Sequence, residues 1–163
     1  RAVYLANVLN LDMGMFYKRR DYTKIVNGRN PIVAHEFLGS SVEGKDVIIL
    51  DDMISSGDSI LDVAGQLKQR RAKRIFAAAT FGLFTHGLDK FDKAYEEGIL
   101  DAILTTNLIY QTPELLSRPY YISCDMSKYI ALMIDTLNHD GSISSILSPN
   151  ERIQYAVEEY KRR

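Results

Sequence analysis

Cysteine is all but absent: Cys124 is the only one in 163 residues. That excludes an internal disulfide and points to a reducing, cytoplasmic setting. With no base beside it in sequence, Cys124 reads as a small packed hydrophobe. No apolar run approaches the length of a membrane span, and no secretory signal pattern is present. Neither sign of charge dominates, and the net charge of −1 offers no case for a nucleic acid or an anionic membrane as partner. Internal repeats and low-complexity segments are missing too. His35, His86 and His139 stand alone, and no pair has metal-ligand spacing, so no metal site is expected from these residues. The chain does not begin with methionine, which reads as a piece of a longer chain. What remains is an ordinary soluble composition, 46% hydrophobic and 25% charged, long enough for one domain with a real core.

Against that background one stretch stands out. The apolar run Val47-Ile48-Ile49-Leu50 ends in the adjacent carboxylates Asp51 and Asp52. Met53 and Ile54 follow, then the small loop Ser55-Ser56-Gly57-Asp58-Ser59 and the start of a helix. A helix start offers unpaired N–H groups and the positive end of its dipole to an anion. Gly57 lets the backbone approach closely, and the serines add hydroxyl donors. The carboxylates would repel a phosphate, but they suit sugar hydroxyls or a metal ion. The order strand, acid pair, Ser/Gly loop, helix therefore builds a site for a sugar phosphate. A plain solvated loop with a serine cap would need none of this pattern. A receiver-like acid pocket would want a third acid at another strand end, and the ends at Thr80 and Thr105 supply none.

Periodicity predicts the surroundings. Ala2, Leu5, Val8 and Leu9 mark a helix face ending near Asn10, and 15–17 a short strand. Residues 18–31 are polar and carry a net charge of +4, which predicts a long functional or mobile loop. Strands are predicted at 32–37 and 45–50, joined by a turn over 39–44. A helix over 59–71, a strand at 74–79, a helix over 88–97 closed by Gly98 and a strand at 102–104 follow. Then come a turn or short helix at 113–116 and a strand at 120–122. Met126, Tyr129, Ile130, Met133, Ile134 and Leu137 form a helical stripe that reads as core or as a subunit interface. A last charged helix carries Ile153, Tyr155, Ala156 and Tyr160, and its terminal cations read as a solvated helix end. The alternation gives an α/β fold, a mainly parallel sheet flanked by helices. Ligands of such sheets sit at the carboxyl ends of the strands, where Asp51 lies.

Residues 51–59 resemble the phosphoribosyl pyrophosphate (PRPP) motif of the type I phosphoribosyltransferase fold: an apolar strand, two acids, a few mixed residues, then Thr-Gly-x-Thr. Ser56-Gly57-Asp58-Ser59 fills the last four places, with Asp58 where glycine is frequent. Tyr17-Lys18-Arg19-Arg20 resembles the opening of the catalytic loop of ribose-phosphate pyrophosphokinases (PRPP synthetases). Ala79-Thr80-Phe81-Gly82-Leu83-Phe84 resembles their Ala-Thr-His-Gly-Leu-Phe, with Phe81 for the histidine. Leu104-Thr105-Thr106-Asn107 and Ser142-Ile143-Ser144-Ser145-Ile146-Leu147 match two further segments, in family order.

The resemblance implies the C-terminal half of such an enzyme over residues 1–163, with 148–163 a helical extension and the ATP-binding half elsewhere. It implies transfer of the β,γ-diphosphate of ATP to ribose 5-phosphate with Mg²⁺, whose ligands lie mostly in the other half, in a homo-oligomer. By the same resemblance, residues 55–59 bind the 5-phosphate, Asp51 and Asp52 orient the ribose, and Lys18 and Arg20 act in catalysis. Two alternatives stay open: a PRPP-consuming phosphoribosyltransferase, which would need a base-recognising hood, and a non-catalytic PRPP-binding regulatory subunit.

Overall fold

The computed structural model describes residues 1–20 and 32–162. A helix, α1 (Ala2–Leu9), leads into an antiparallel hairpin of β1 (Gly14–Arg20) and β2 (Ile32–Gly39). Lys18, Arg19 and Arg20 belong to β1, pairing in register with His35, Ala34 and Ile32. The expectation of a loop from residue 18 is thus corrected over 18–20, which are strand. Apolar alternation stops at Tyr17, whereas the backbone ladder continues through residues of any side chain. The remainder of that expected loop, 21–31, lies outside the described residues.

The second sheet is parallel, in the order β3-β4-β5-β6. Its strands are β3 (Asp46–Ile54), β4 (Arg74–Gly82), β5 (Ala102–Thr106) and β6 (Tyr121–Cys124). Between them run α2 (Asp58–Gln69), α3 (Asp89–Glu96) and the short α4 (Pro113–Leu116). Then follow α5 (Ser127–Asn138), the unexpected short α6 (Ser144–Leu147) and α7 (Asn150–Arg162). This is the α/β sheet flanked by helices that the sequence predicts.

The core lies on one face of the parallel sheet. Ile75, Ala77 and Ile103 alternate inward and pack with Ile60, Ala64 and Leu67 of α2 and Phe91 of α3. The opposite face is thinly covered: Ile48 keeps 51% and Ile122 46% of its surface exposed. The stripe on α5 is not core, since no residue of that helix is buried. A 3.6-residue period fixes which side chains share a face but not what covers that face. The terminal helix is tied down rather than free. The Tyr4 hydroxyl donates to Asn150 Oδ1, and the Arg152 guanidinium lies 5.1 Å from the Tyr129 ring centre. No helix among the described residues is long and apolar enough to cross a membrane.

β3 ends the sheet order on its own side. Its continuous apolar run is of the kind found in strands covered on both faces, yet only Ile54 of β3 is buried. Beside it opens a cleft of about 700 Å³, lined by Leu5 and Leu9 of α1, Phe16 of β1, and Ile48, Ile49 and Leu50 of β3.

A half-buried polar cluster clamps α3 to the segment that leads into β6. Arg118 Nε donates to Asp92 Oδ1 at 2.8 Å, Nη2 to Oδ2 at 2.9 Å, and the buried Tyr120 hydroxyl to Oδ1 at 2.6 Å. Burial pushes the Asp92 carboxyl up, but hydrogen bonds from Arg118 and Tyr120 outweigh it and hold the carboxyl below its ordinary value. Burial, then Asp92, drives the Tyr120 hydroxyl well above the ordinary phenol value. Tyr120→Phe removes a hydrogen bond to a charged group and is expected to cost about 1.5 kcal/mol at neutral pH. Because the Asp92 carboxyl is depressed in the folded state, this contribution is fully present above its unfolded pKa of about 4 and is lost as pH falls from there through the lower folded value. Urea titrations of parent and Tyr120→Phe at pH 7 and pH 3 check this. A gap that stays constant between the two pH values contradicts it.

Candidate functional site

The site is built where β3 runs out. Pairing with β4 carries β3 beyond its apolar run, so Asp51 sits opposite Ala79 and Met53 opposite Phe81. Asp51 and Asp52 therefore stand inside the strand, not in the loop after it. Both are exposed, and Asp51 Oδ1 accepts the Asp52 N–H at 2.8 Å.

The chain then turns sharply. Ile54 is buried, and its carbonyl accepts the amides of Leu83 and Phe84 at 2.8 and 3.3 Å. The Ser55 carbonyl accepts the Thr85 amide at 3.1 Å, and the two hydroxyls lie 3.4 Å apart. The segment after β4 thus holds the loop from beneath. Gly57 is the N-cap of α2, with φ 83° and no side-chain cap. A Cβ there would lie 2.1 Å from Phe91 Cζ, so both the backbone angle and the neighbour demand glycine. The helix begins at Asp58, one residue earlier than its apolar period predicts. Its first turn presents the amides of Asp58, Ser59 and Ile60.

The structure thus brings Ser55, Ser56, Gly57, Asp58 and Ser59 into one turn at the carboxyl end of β3, immediately beyond Asp51 and Asp52. Lys18 and Arg20 stand on β1, and the contacts of their side chains lie outside the described residues. The arrangement offers amides and hydroxyls at a helix start, with carboxylates one step away.

Residues 24–148 match the family described as the phosphoribosyl synthetase-associated domain. The chain belongs to that family. A ribose-phosphate pyrophosphokinase of Vibrio cholerae is 30% identical over 139 residues, covering 85% of this chain and 41% of that protein. One from Mycoplasma pneumoniae is 29% identical over 147 residues, covering 90% and 42%. The chain spans about two fifths of the length of these curated relatives. The crystal structure of phosphoribosylpyrophosphate synthetase from Mycobacterium smegmatis superposes with a TM-score of 0.57 at 24% identity, over 66% of this chain and 35% of that one. At that identity the likeness speaks for the fold.

Two features of this family member escape sequence reasoning. One is a polar network at the ends of β5 and β6. Thr105 is buried, and its hydroxyl lies 2.5 Å from that of Tyr121. Asn107 donates to Asp125 Oδ1 at 2.8 Å and accepts the Met126 amide at 2.8 Å. Hydrogen bonds from Ser127, then from Asn107, hold the Asp125 carboxyl below its ordinary value. The other is Lys90, whose ammonium meets Asp58 at 2.5 Å. Neither pairing has a signal in the spacing, because each joins residues from separate elements.

Gly57→Ala is expected to destabilise by about 3 kcal/mol, the sum of left-handed strain and a displaced ring. Gly44→Ala, with φ 71° and nothing within 4 Å of the new Cβ, is expected to cost only about 1 kcal/mol. Denaturant melts of both variants measure the difference. Equal costs contradict the pressure of Phe91 on the turn.

Proposed function

We propose that this chain is the ribose 5-phosphate-binding, C-terminal half of a ribose-phosphate pyrophosphokinase, with the ATP-binding half in sequence outside it. The observation that carries the reading is the Gly57 turn. It sets the first-turn amides of α2 and the hydroxyl-bearing Ser55, Ser56 and Ser59 in one turn at the carboxyl end of β3, following two exposed carboxylates. Residues 1–163 form the phosphoribosyltransferase-like domain, and 148–163 are its helical extension.

In the reaction, the C1 hydroxyl of ribose 5-phosphate attacks the β-phosphorus of ATP. The bond to the α-phosphate oxygen breaks, the C1 hydroxyl proton is released, and PRPP and AMP leave. The loop of residues 55–59 grips the 5-phosphate through N–H and O–H donors. Asp51 and Asp52 accept hydrogen bonds from ribose hydroxyls and so orient C1. Lys18 and Arg20 stabilise charge on the transferring diphosphate. Mg²⁺ belongs to this reading. No cluster of three or more His, Cys, Asp or Glu that could hold a metal stands among the described residues. Mg²⁺ asks for less, one or two carboxylates together with substrate oxygens, and Asp51 and Asp52 are carboxylates of that kind. When bound, it supplies neutralisation of the diphosphate charge.

A second reading, a non-catalytic PRPP-binding regulatory subunit, is favoured by Asp58, an acid at the mouth of the anion loop. Activity separates the two. In the full-length protein, AMP release from ATP should depend on ribose 5-phosphate. Lys18→Ala and Arg20→Ala should each lower kcat by roughly 10²–10³, as loss of one charge-stabilising donor does. Unchanged kcat in both variants removes these residues from the mechanism. An inactive parent that still binds PRPP supports the regulatory reading.

Calorimetry of the same protein tests the acids. Asp51→Asn or Asp52→Asn should weaken ribose 5-phosphate by roughly tenfold or more, from the loss of charged hydrogen bonds. Inorganic phosphate should be nearly unaffected. Equal losses for both ligands contradict the sugar-binding role.

A further inference from the structure

Asp58 poses a problem for an anion loop. As the first residue of α2 it suits the helix dipole, yet its exposed carboxylate sits where a phosphate is expected to dock. The structure supplies an answer from another element. Lys90 Nζ of α3 meets Asp58 Oδ1 at 2.5 Å, and Ser56 Oγ donates to Oδ2 at 3.0 Å. Hydrogen bonds from Lys90, then from Ser56, hold the Asp58 carboxyl below its ordinary value, and His86 adds to the effect from the segment after β4. The next residue of α3 is Phe91, whose ring forbids any side chain at Gly57. Two successive residues of one helix thus act on the same turn. Phe91 shapes it, and Lys90 meets its negative charge.

We propose that Lys90 is an affinity-determining residue of the loop: its ammonium cancels the Asp58 carboxylate and so admits a dianionic phosphoryl group. The inference rests on the phosphate-binding reading of residues 55–59 and names a residue that the motif does not contain. A surface ion pair adds little to folding, so this pair matters through the ligand. One uncompensated negative charge about 6 Å from a dianion in a water-like dielectric lowers affinity roughly tenfold. The effect shrinks in high salt, because screening shortens to about 3 Å at 1 M.

The test is calorimetric titration of ribose 5-phosphate into the protein at low salt and at 1 M salt. The variants are Lys90→Ala, Lys90→Arg, Asp58→Asn and the double variant Asp58→Asn/Lys90→Ala. Lys90→Ala is expected to weaken binding roughly tenfold at low salt and much less at 1 M. Lys90→Arg should keep the parent affinity, and the double variant should recover it. Asp58→Asn alone should tighten binding, because Lys90 is then left to the phosphate. Unchanged affinity in Lys90→Ala overturns the proposal, as does a double variant no better than Lys90→Ala, or weaker binding in Asp58→Asn. A parent that binds neither ribose 5-phosphate nor inorganic phosphate overturns the reading of the loop, and the role of Lys90 falls with it.

Discussion

The contact between Phe91 and the backbone of Gly57 is the constraint on which the rest depends. It couples the two helices that cover the buried face of the sheet to the geometry of the turn between β3 and α2. A fully buried aromatic ring is one of the larger contributions that a single side chain makes to a core, typically about 3–5 kcal/mol on truncation. Here the same ring also leaves no room for a side chain at Gly57, in the candidate phosphate loop. Fold stability and loop shape are therefore set by one contact, and neither can drift without the other. The hydrogen bonds from Leu83, Phe84 and Thr85 to Ile54 and Ser55 add a second clamp from the neighbouring strand end.

The remainder of the molecule is less evenly built. The buried core is confined to the face under α2 and α3, and α1, α5 and α7 have no buried residue. β3 bears the site and also bounds the sheet, with an apolar cleft alongside. Burial is thus concentrated beneath the candidate loop, whereas apolar surface stays open on the side toward α1. This distribution agrees with a chain spanning about two fifths of its curated relatives.

Much of the fold is legible from local pattern. The run Val47-Ile48-Ile49-Leu50, the period of Ile60, Ala64 and Leu67, and the glycines that close helices each have one plain structural meaning. The boundaries are less so. β3 runs on through Asp51 and Asp52, and β1 through Lys18 to Arg20, because ladder hydrogen bonds come from the partner strand and ignore side-chain polarity. The stripe on α5 has a clear period, yet its exposure depends on what packs there. In the site, the loop residues are legible because their chemistry is contiguous. Lys90 and Phe91 are not: a lysine and a phenylalanine in an amphipathic helix look ordinary until tertiary packing sets them against Asp58 and Gly57, more than thirty residues away.

Residues 55–59 are proposed to bind the phosphate of ribose 5-phosphate. Amide NMR shifts recorded while ribose 5-phosphate is added, with ribose alone as a control, test it most directly. The amides of Gly57, Asp58, Ser59 and Ile60 should move first and saturate together, and ribose without its phosphate should leave them nearly still. If Gly57 and Ser59 do not move while a distant patch does, the claim is contradicted.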